Sequence, residues 1–310
     1  MEILLQLLFL AAGFFLLVKG ADWFVDGAAG IAEKFGIPHL VVGLTIVAMG
    51  TSAPEAAVSI TAALKGNAGI TIGNIVGSNI LNILIILGIA SVIIPIAVAK
   101  STVKVEIPYM LLMTLLLLGM GCTGNKITFW EGVILWIAFV IYLAYLFRMA
   151  KNNKAEEEDE QEGKPVWRLL FDVAAGIALI MLGSNVAVDA ATEIARVMGM
   201  SERFIGLTIV ALGTSLPELV TSVSAARKGE ADIAIGNIVG SNIFNILFVV
   251  GTAALITPVI FETKFIIDTL VSLAAGILLW VCVFKDRRLG RTGGMIMLMC
   301  YVAYFIYLIS

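Results

Sequence analysis

Two glutamates, Glu55 and Glu218, stand where a carboxylate is costly. Each closes a GTSxPE hexapeptide, GTSAPE over 50–55 and GTSLPE over 213–218, inside a long apolar run. Each is followed by GNIVGSNI and then an asparagine, Asn82 in one case and Asn245 in the other. The side chains that travel with the two acids are Thr51, Ser52, Ser78 and Asn82, and Thr214, Ser215, Ser241 and Asn245. These supply hydroxyl and amide oxygens and no nitrogen or sulfur ligand. An all-oxygen set around two acids suits a hard cation: Ca²⁺ takes six to eight oxygens in flexible geometry, and Na⁺ fits the same groups. Zinc and copper would favour His or Cys. A carboxylate at mid-membrane costs at least ~2.5 kcal/mol, and the spans that carry the acids contain no Lys or Arg. Compensation must therefore come from protons or bound cations. Two carboxylates neutralise one divalent ion, and monovalent ions competing for the same place would be the minimum basis for counter-transport.

The acids are duplicated because the sequence around them is. Residues 41–88 and 204–251 align without a gap at a constant offset of 163, with 31 identities in 48 positions. The identities include every polar residue of GTSxPE and GNIVGSNIxN. A repeat of this length fixes architecture before any local reading does.

The elements that must position these residues are membrane helices. The chain of 310 residues is 60% hydrophobic and 14% charged, with mean hydropathy +1.02, whereas charged residues make up about a quarter of a soluble domain. Crossing ~30 Å of hydrocarbon takes about 20 apolar residues as helix. Ten segments qualify: 3–25, 39–64, 70–98, 107–121, 129–148, 169–190, 204–226, 232–258, 265–284 and 293–309. The expected fold is an all-α integral membrane protein whose ten transmembrane helices form two inverted five-helix repeats. An odd number of spans per repeat forces the second copy to enter from the opposite side. The N-terminal segment lacks a basic flank and reads as a first span, not a cleaved signal. Cys122, Cys282 and Cys300 have no metal-ligand spacing and no duplicated counterpart, so a disulfide or metal framework is not expected.

The repeats are assigned to 1–148 and 169–310, joined by an acidic linker at 149–168 that carries Glu156, Glu157, Glu158, Asp159, Glu160 and Glu162. It reads as a solvated hinge. Fourteen Lys and Arg, from Lys34 to Arg291, fall in loops on one side, against five on the other: Lys65, Lys126, Arg196, Arg203 and Lys264. The richer side is expected to be cytoplasmic, with the linker inside and both termini extracytoplasmic in a multi-pass plasma-membrane protein.

Within the repeats, Pro54 and Pro217 should break their spans and free carbonyls near Thr51 and Thr214, a break tolerated at depth only where it is buried or lines a cavity. Asn74, Ser78 and Asn82 recur every four residues, on one helical face. Gly73 with Gly77 and Gly236 with Gly240 form GxxxG pairs, read as close helix packing. Asp26 and Asp189 read as cap or interfacial groups, His39 as interfacial, and the Phe and Trp residues as lipid-facing and belt positions.

At these motifs the chain resembles the cation/calcium exchanger superfamily, specifically the prokaryotic sodium/calcium exchangers, whose hallmark is two inverted repeats bearing GTSxPE and GSNxxN/D. The resemblance spans the whole ten-helix layout. It implies Na⁺/Ca²⁺ antiport by alternating access without nucleotide or prosthetic group, so that Ca²⁺, Na⁺ and the lipid bilayer are the partners, with no nucleic acid and a monomeric transport unit. Position by position it implies Glu55 and Glu218 as central ligands, assisted by Thr51, Ser52, Thr214, Ser215, Ser78 and Ser241. The carbonyls of Ala48 and Ala211 would complete flanking sodium positions. Asn82 matches an amide common in relatives, while Asn245 stands where many have aspartate, which weakens the case for potassium co-transport. By analogy with the family, the first spans of each half would slide against a fixed core. A proton/calcium antiporter using the same two glutamates is the nearest alternative, and a calcium channel is another. An intramembrane hydrolase using Ser52 or Ser215 lacks a general base, since His39 is the only histidine.

Overall fold

In the computed structural model, residues 2–66, 68–152, 164–200 and 211–309 are described. The chain is a bundle of membrane-spanning helices: α1 (Glu2–Phe35), α2 (His39–Thr51), α3 (Ala53–Leu64), α4 (Gly69–Ile93), α5 (Thr102–Gly124), α6 (Phe129–Asn152), α7 (Val166–Val197), α8 (Ala211–Thr214), α9 (Leu216–Arg227), α10 (Ala231–Ile256), α11 (Lys264–Phe284) and α12 (Arg291–Ile309). Among the described residues, eight helices are long and apolar enough to span, and α2 with α3 makes a ninth that bends by 52° at Ser52. The span expected at 204–226 lies partly outside the described residues. Its remainder is α8 and α9, separated at Ser215.

Two short ladders appear where only helices were expected. β1 (Ile96–Ala97) pairs with β4 (Arg288–Leu289), and β2 (Lys126–Ile127) pairs with β3 (Val259–Ile260), both antiparallel. Under the offset of 163, β1 corresponds to β3 and β2 to β4. The loop before α5 therefore meets the loop after α11, the equivalent of the loop after α5. That exchange of ends is what inverted repeats require.

α4 and α10 form the centre, with 78% and 94% of their apolar windows buried, whereas α12 is 11% buried and faces lipid. A sheath of exposed apolar side chains, Leu4, Trp130, Phe147 and Met299 among them, covers the bundle. Several aromatics depart from the lipid-facing expectation. Phe24, Phe139, Phe244 and Phe261 are buried, and Phe244 stacks on Phe248 at 4.6 Å beside Trp136 and Phe139. Their ring area closes gaps between α6 and α10 that shorter side chains would leave open.

α1 and α7 run to 34 and 32 residues, about 50 Å each at 1.5 Å per residue, so both project beyond the hydrocarbon. They were expected to end near 25 and 190. They lie antiparallel in backbone contact. A Cβ on Gly13 would meet the Ala187 nitrogen at 2.7 Å, one on Gly20 the Ile180 nitrogen at 2.8 Å, and one on Gly27 the Leu169 carbonyl at 2.9 Å. Gly176 and Gly183 face back in the same way, against Phe24 and Leu17. Glycine every seventh residue lets the two axes approach more closely than any side chain would permit. The GxxxG reading is correct for Gly236 and Gly240, which abut Gly43 and Leu44 of α2, but not for the first-repeat pair: a Cβ on Gly77 would meet nothing within 4 Å, and one on Gly73 only the Phe265 ring at 3.2 Å.

Candidate functional site

Glu55 and Glu218 occupy the first turns of α3 and α9, each directly after a proline. Proline fits the first turn because that position needs no helical donor, and the positive end of the helix dipole favours a carboxylate there. Both acids are buried and close enough to act on one another. The break has a local cause: Pro54 has no N–H to give the Gly50 carbonyl four residues back. The carbonyl that loses its helical donor is that of Gly50, next to Thr51. Ala48 still accepts from the Ser52 N–H at 3.0 Å, and also from Thr51 Oγ1 and Ser241 Oγ, each at 3.3 Å. Ala211 opens α8; its side chain lies outside the described residues.

The two halves interlock around the acids. Ser52 Oγ donates to Glu218 Oε1 at 3.0 Å, across the repeats. Ser78 Oγ approaches Glu55 Oε1 at 3.5 Å, and the Thr214 hydroxyl lies against the same carboxyl. Thr51 Oγ1 donates to Asn237 Oδ1 at 2.9 Å. Asn74 and Asn237 make matching bonds, each to a serine of the preceding helix, Ser59 and Ser222, at 2.9 Å. A second layer joins α4 to α10. Asn79 and Asn242 donate to each other's main-chain carbonyls at 3.3 and 3.2 Å, Asn82 donates to Asn242 Oδ1 at 2.9 Å, and Asn245 donates to Asn79 Oδ1 at 3.1 Å. From Asn82 and Asn245 onward both helices widen into π-turns, over Asn82–Leu87 and Asn245–Val250. Such bulges are frequent at functional sites.

The asparagine amide N–H groups of this network are all used, and several oxygens are not. Five oxygens of the sequence-derived set are buried without a hydrogen-bond partner: Glu55 Oε2, Glu218 Oε2, Ser215 Oγ, Asn82 Oδ1 and Asn245 Oδ1. Buried polar atoms are satisfied in more than nine cases of ten. Among the described residues no group of three or more His, Cys, Asp or Glu could hold a metal, and the unpartnered atoms here are all oxygens.

Two buried acids escaped the sequence reading: Asp172 of α7, which pairs with Lys164 and Arg168, and Glu106. Glu106 precedes the span expected at 107, but α5 begins at Thr102 and the carboxyl is fully buried, with the Tyr145 hydroxyl donating to Oε1. Its equivalent in the second half is Thr269, so duplication could not reveal it. The aromatic run of α6 that covers it was the available signal.

A ten-helix inverted repeat with two interlocked acids at its centre defines a secondary transporter, not an enzyme. The chain belongs to the sodium/calcium exchanger protein family, whose model matches residues 5–148 and 169–310. It is 40% identical over 318 residues to the putative antiporter CaxA of Alkalimonas amylolytica, covering 99% of both chains. It is 33% identical over 350 residues to the sodium/calcium exchanger MaX1 of Methanosarcina acetivorans, again covering 99% of both. Its fold is similar to that of the sodium-calcium exchanger NCX_Mj, with TM-score 0.84 and 33% identity over 98% of this chain and 99% of that one.

Proposed function

We propose that the protein exchanges Na⁺ for Ca²⁺ across the plasma membrane by alternating access, with Glu55 and Glu218 as the shared ligands of the two ions. The observation that carries this reading is the set of five buried oxygens without hydrogen-bond partners. Leaving them so would be costly unless a cation completes them, and all five are oxygens, the ligands of Ca²⁺ and Na⁺. Thr51, Ser52, Thr214, Ser78 and Ser241 stand beside them as hydroxyl ligands and positioning groups. The carbonyls of Ala48 and Ala211 are the proposed flanking sodium ligands. Ala48 would release its hydroxyl donors, Thr51 and Ser241, to a bound ion.

Ca²⁺ and Na⁺ cannot both neutralise the same two carboxylates at once, so occupancy by one expels the other, and exchange follows if the empty, charged site cannot cross between faces. The glycine-lined α1–α7 pair is proposed to move as one unit against the core formed by α4 and α10. The lysine- and arginine-rich face is assigned to the cytoplasm, with both termini outside. The transport unit is the single chain, and no cofactor is required.

The test is ⁴⁵Ca²⁺ uptake into Na⁺-loaded proteoliposomes at fixed pH, with ionophores collapsing any proton gradient, for wild type and Glu55→Gln. Uptake is expected only with an outward Na⁺ gradient and only in wild type. Uptake driven by a pH gradient alone would transfer the reading to proton/calcium exchange by the same glutamates.

A further inference from the structure

The offset of 163 assigns every contact of one half an equivalent pair in the other. After α9, Lys228 Nζ contacts Asp26 Oδ1 of α1 at 2.6 Å and Asp22 Oδ1 at 3.7 Å, and donates to the Asp22 main-chain oxygen at 2.9 Å. Ser224 Oγ adds a bond to Asp22 Oδ1 at 2.7 Å. The equivalents of Lys228, Ser224, Asp26 and Asp22 are Lys65, Thr61, Asp189 and Asn185. Among the described residues Lys65 and Asp189 form no ion pair, and both are exposed. Thr61 and Lys65 instead line a cavity of about 730 Å³ together with Ala57, Val58, Ala62 and Ile70.

α1 and α7 are antiparallel, so Asp26 lies level with residues near 172 and Asp189 about 17 residues further along α7, roughly 25 Å away at 1.5 Å per residue. One end of the α1–α7 pair is thus fastened to the core by a lysine of the second repeat. The other end stands free of the equivalent lysine, which lines the cavity instead.

We infer that the duplicated pairs Lys228–Asp26 and Lys65–Asp189 are alternating latches, one closed and one open in each conformation of the transporter. This rests on the alternating-access reading above. Exchanging the roles of inverted repeats converts one conformation into the other, so the opposite conformation closes Lys65 on Asp189 and parts Lys228 from Asp26. One latch opens as the other closes, which keeps two discrete packings near balance. The side chains of Lys228 and Asp26 are 29% and 50% exposed, and pairs this wet are weak enough to break during a cycle. The latches are not equal. Lys228 has two aspartates, whereas Asn185 replaces the second carboxylate on the other face, so the latch closed here is the stronger of the two.

The test uses full-length protein with Cys122, Cys282 and Cys300 replaced by serine, carrying either Ala57→Cys in the cavity or its equivalent Val220→Cys on the fastened face. Labelling by a hydrophilic maleimide in detergent, without Na⁺ or Ca²⁺, reads the opening of each face. Lys228→Gln is expected to slow labelling at Ala57→Cys and speed it at Val220→Cys, each by about threefold, within the range a wet ion pair can supply. Lys65→Gln should act in the opposite sense. Lys228→Arg, which keeps the charge facing both aspartates, should hold both rates near the parent values, which also separates a lost latch from a misfolded chain. Unchanged rates in Lys228→Gln, a shift in the same sense from Lys65→Gln, or rates in Lys228→Arg that match those of Lys228→Gln would each overturn the proposal. Labelling involves no transported ion, so the Na⁺/Ca²⁺ reading stands or falls separately by isotope flux.

Discussion

The Ser52 hydroxyl serves the carboxylate of the other half, donating to Glu218 Oε1 at 3.0 Å, while its equivalent Ser215 has no hydrogen-bond partner. The pair breaks the twofold symmetry that the sequence obeys, and it separates two roles that otherwise look alike.

Ser52→Ala removes a bond to a charged acceptor, worth about 1.5–3 kcal/mol. The Ca²⁺ concentration for half-maximal uptake should rise by about tenfold or more. Ser215→Ala removes no protein–protein bond, so an equal rise there would identify Ser215 as a direct ion ligand. Dose–response curves of ⁴⁵Ca²⁺ uptake for the two variants make the comparison.

Glu218→Gln should abolish exchange without unfolding the chain. A buried carboxylate lacking a cationic side chain costs stability in the ion-free protein, and the amide removes that cost. The ion-free variant should melt at or above the wild-type temperature. Added Ca²⁺, which stabilises wild type by about 2.7 kcal/mol at a hundredfold excess over Kd, should no longer raise the Tm. A thermal shift series in detergent with and without Ca²⁺ reads both effects.

Cation binding requires ionised carboxylates, so protons compete with Ca²⁺ at Glu55 and Glu218. The sign is fixed: the Ca²⁺ concentration for half-maximal uptake rises as pH falls, at constant Na⁺. Asn245→Asp adds a third acid at a buried, donor-poor position, and should steepen that dependence. Uptake titrations at a series of pH values for wild type and the variant would reveal it.

The α1–α7 contact leaves no room for side chains. Gly183→Val would place a Cβ 2.7 Å from the Gly13 carbonyl and the Leu17 nitrogen, and overpacking of this kind costs about 1–3 kcal/mol or more. Lower melting temperature and reduced transport should appear together. Gly199→Asn, at a positive-φ turn with open space around the Cβ position, should leave both unchanged, because Asn tolerates that backbone.

The acids, hydroxyls and amides of the site were legible because duplication marked them against a background in which the apolar positions had drifted. The ends of the long helices were not. Lys19, Asp22 and Asp26 suggested that the first span stops near 25, yet α1 continues to Phe35, since those charges lie where the helix leaves the hydrocarbon and two of them meet Lys228. Glu106 falls one residue before the span expected from 107, where an apolar run begins; Tyr145, distant in sequence, makes its burial tolerable. The π-turns at Asn82 and Asn245 left no pattern in the residue types, because a single extra residue per turn changes hydrogen bonding more than periodicity. That Ser52 would reach Glu218 and not its neighbour Glu55 depends on how the halves dock, which local sequence does not encode.

The reciprocal bonds between Asn79 and Asn242 have a consequence for how the protein is made. Until α10 arrives, the amides of Asn79 and Asn82 have no acceptor from it and face lipid or a translocon wall. The amino-terminal half is therefore completed only when α10, in the last third of the chain, has been inserted beside α4, so the two duplicated halves form one folding unit and not two.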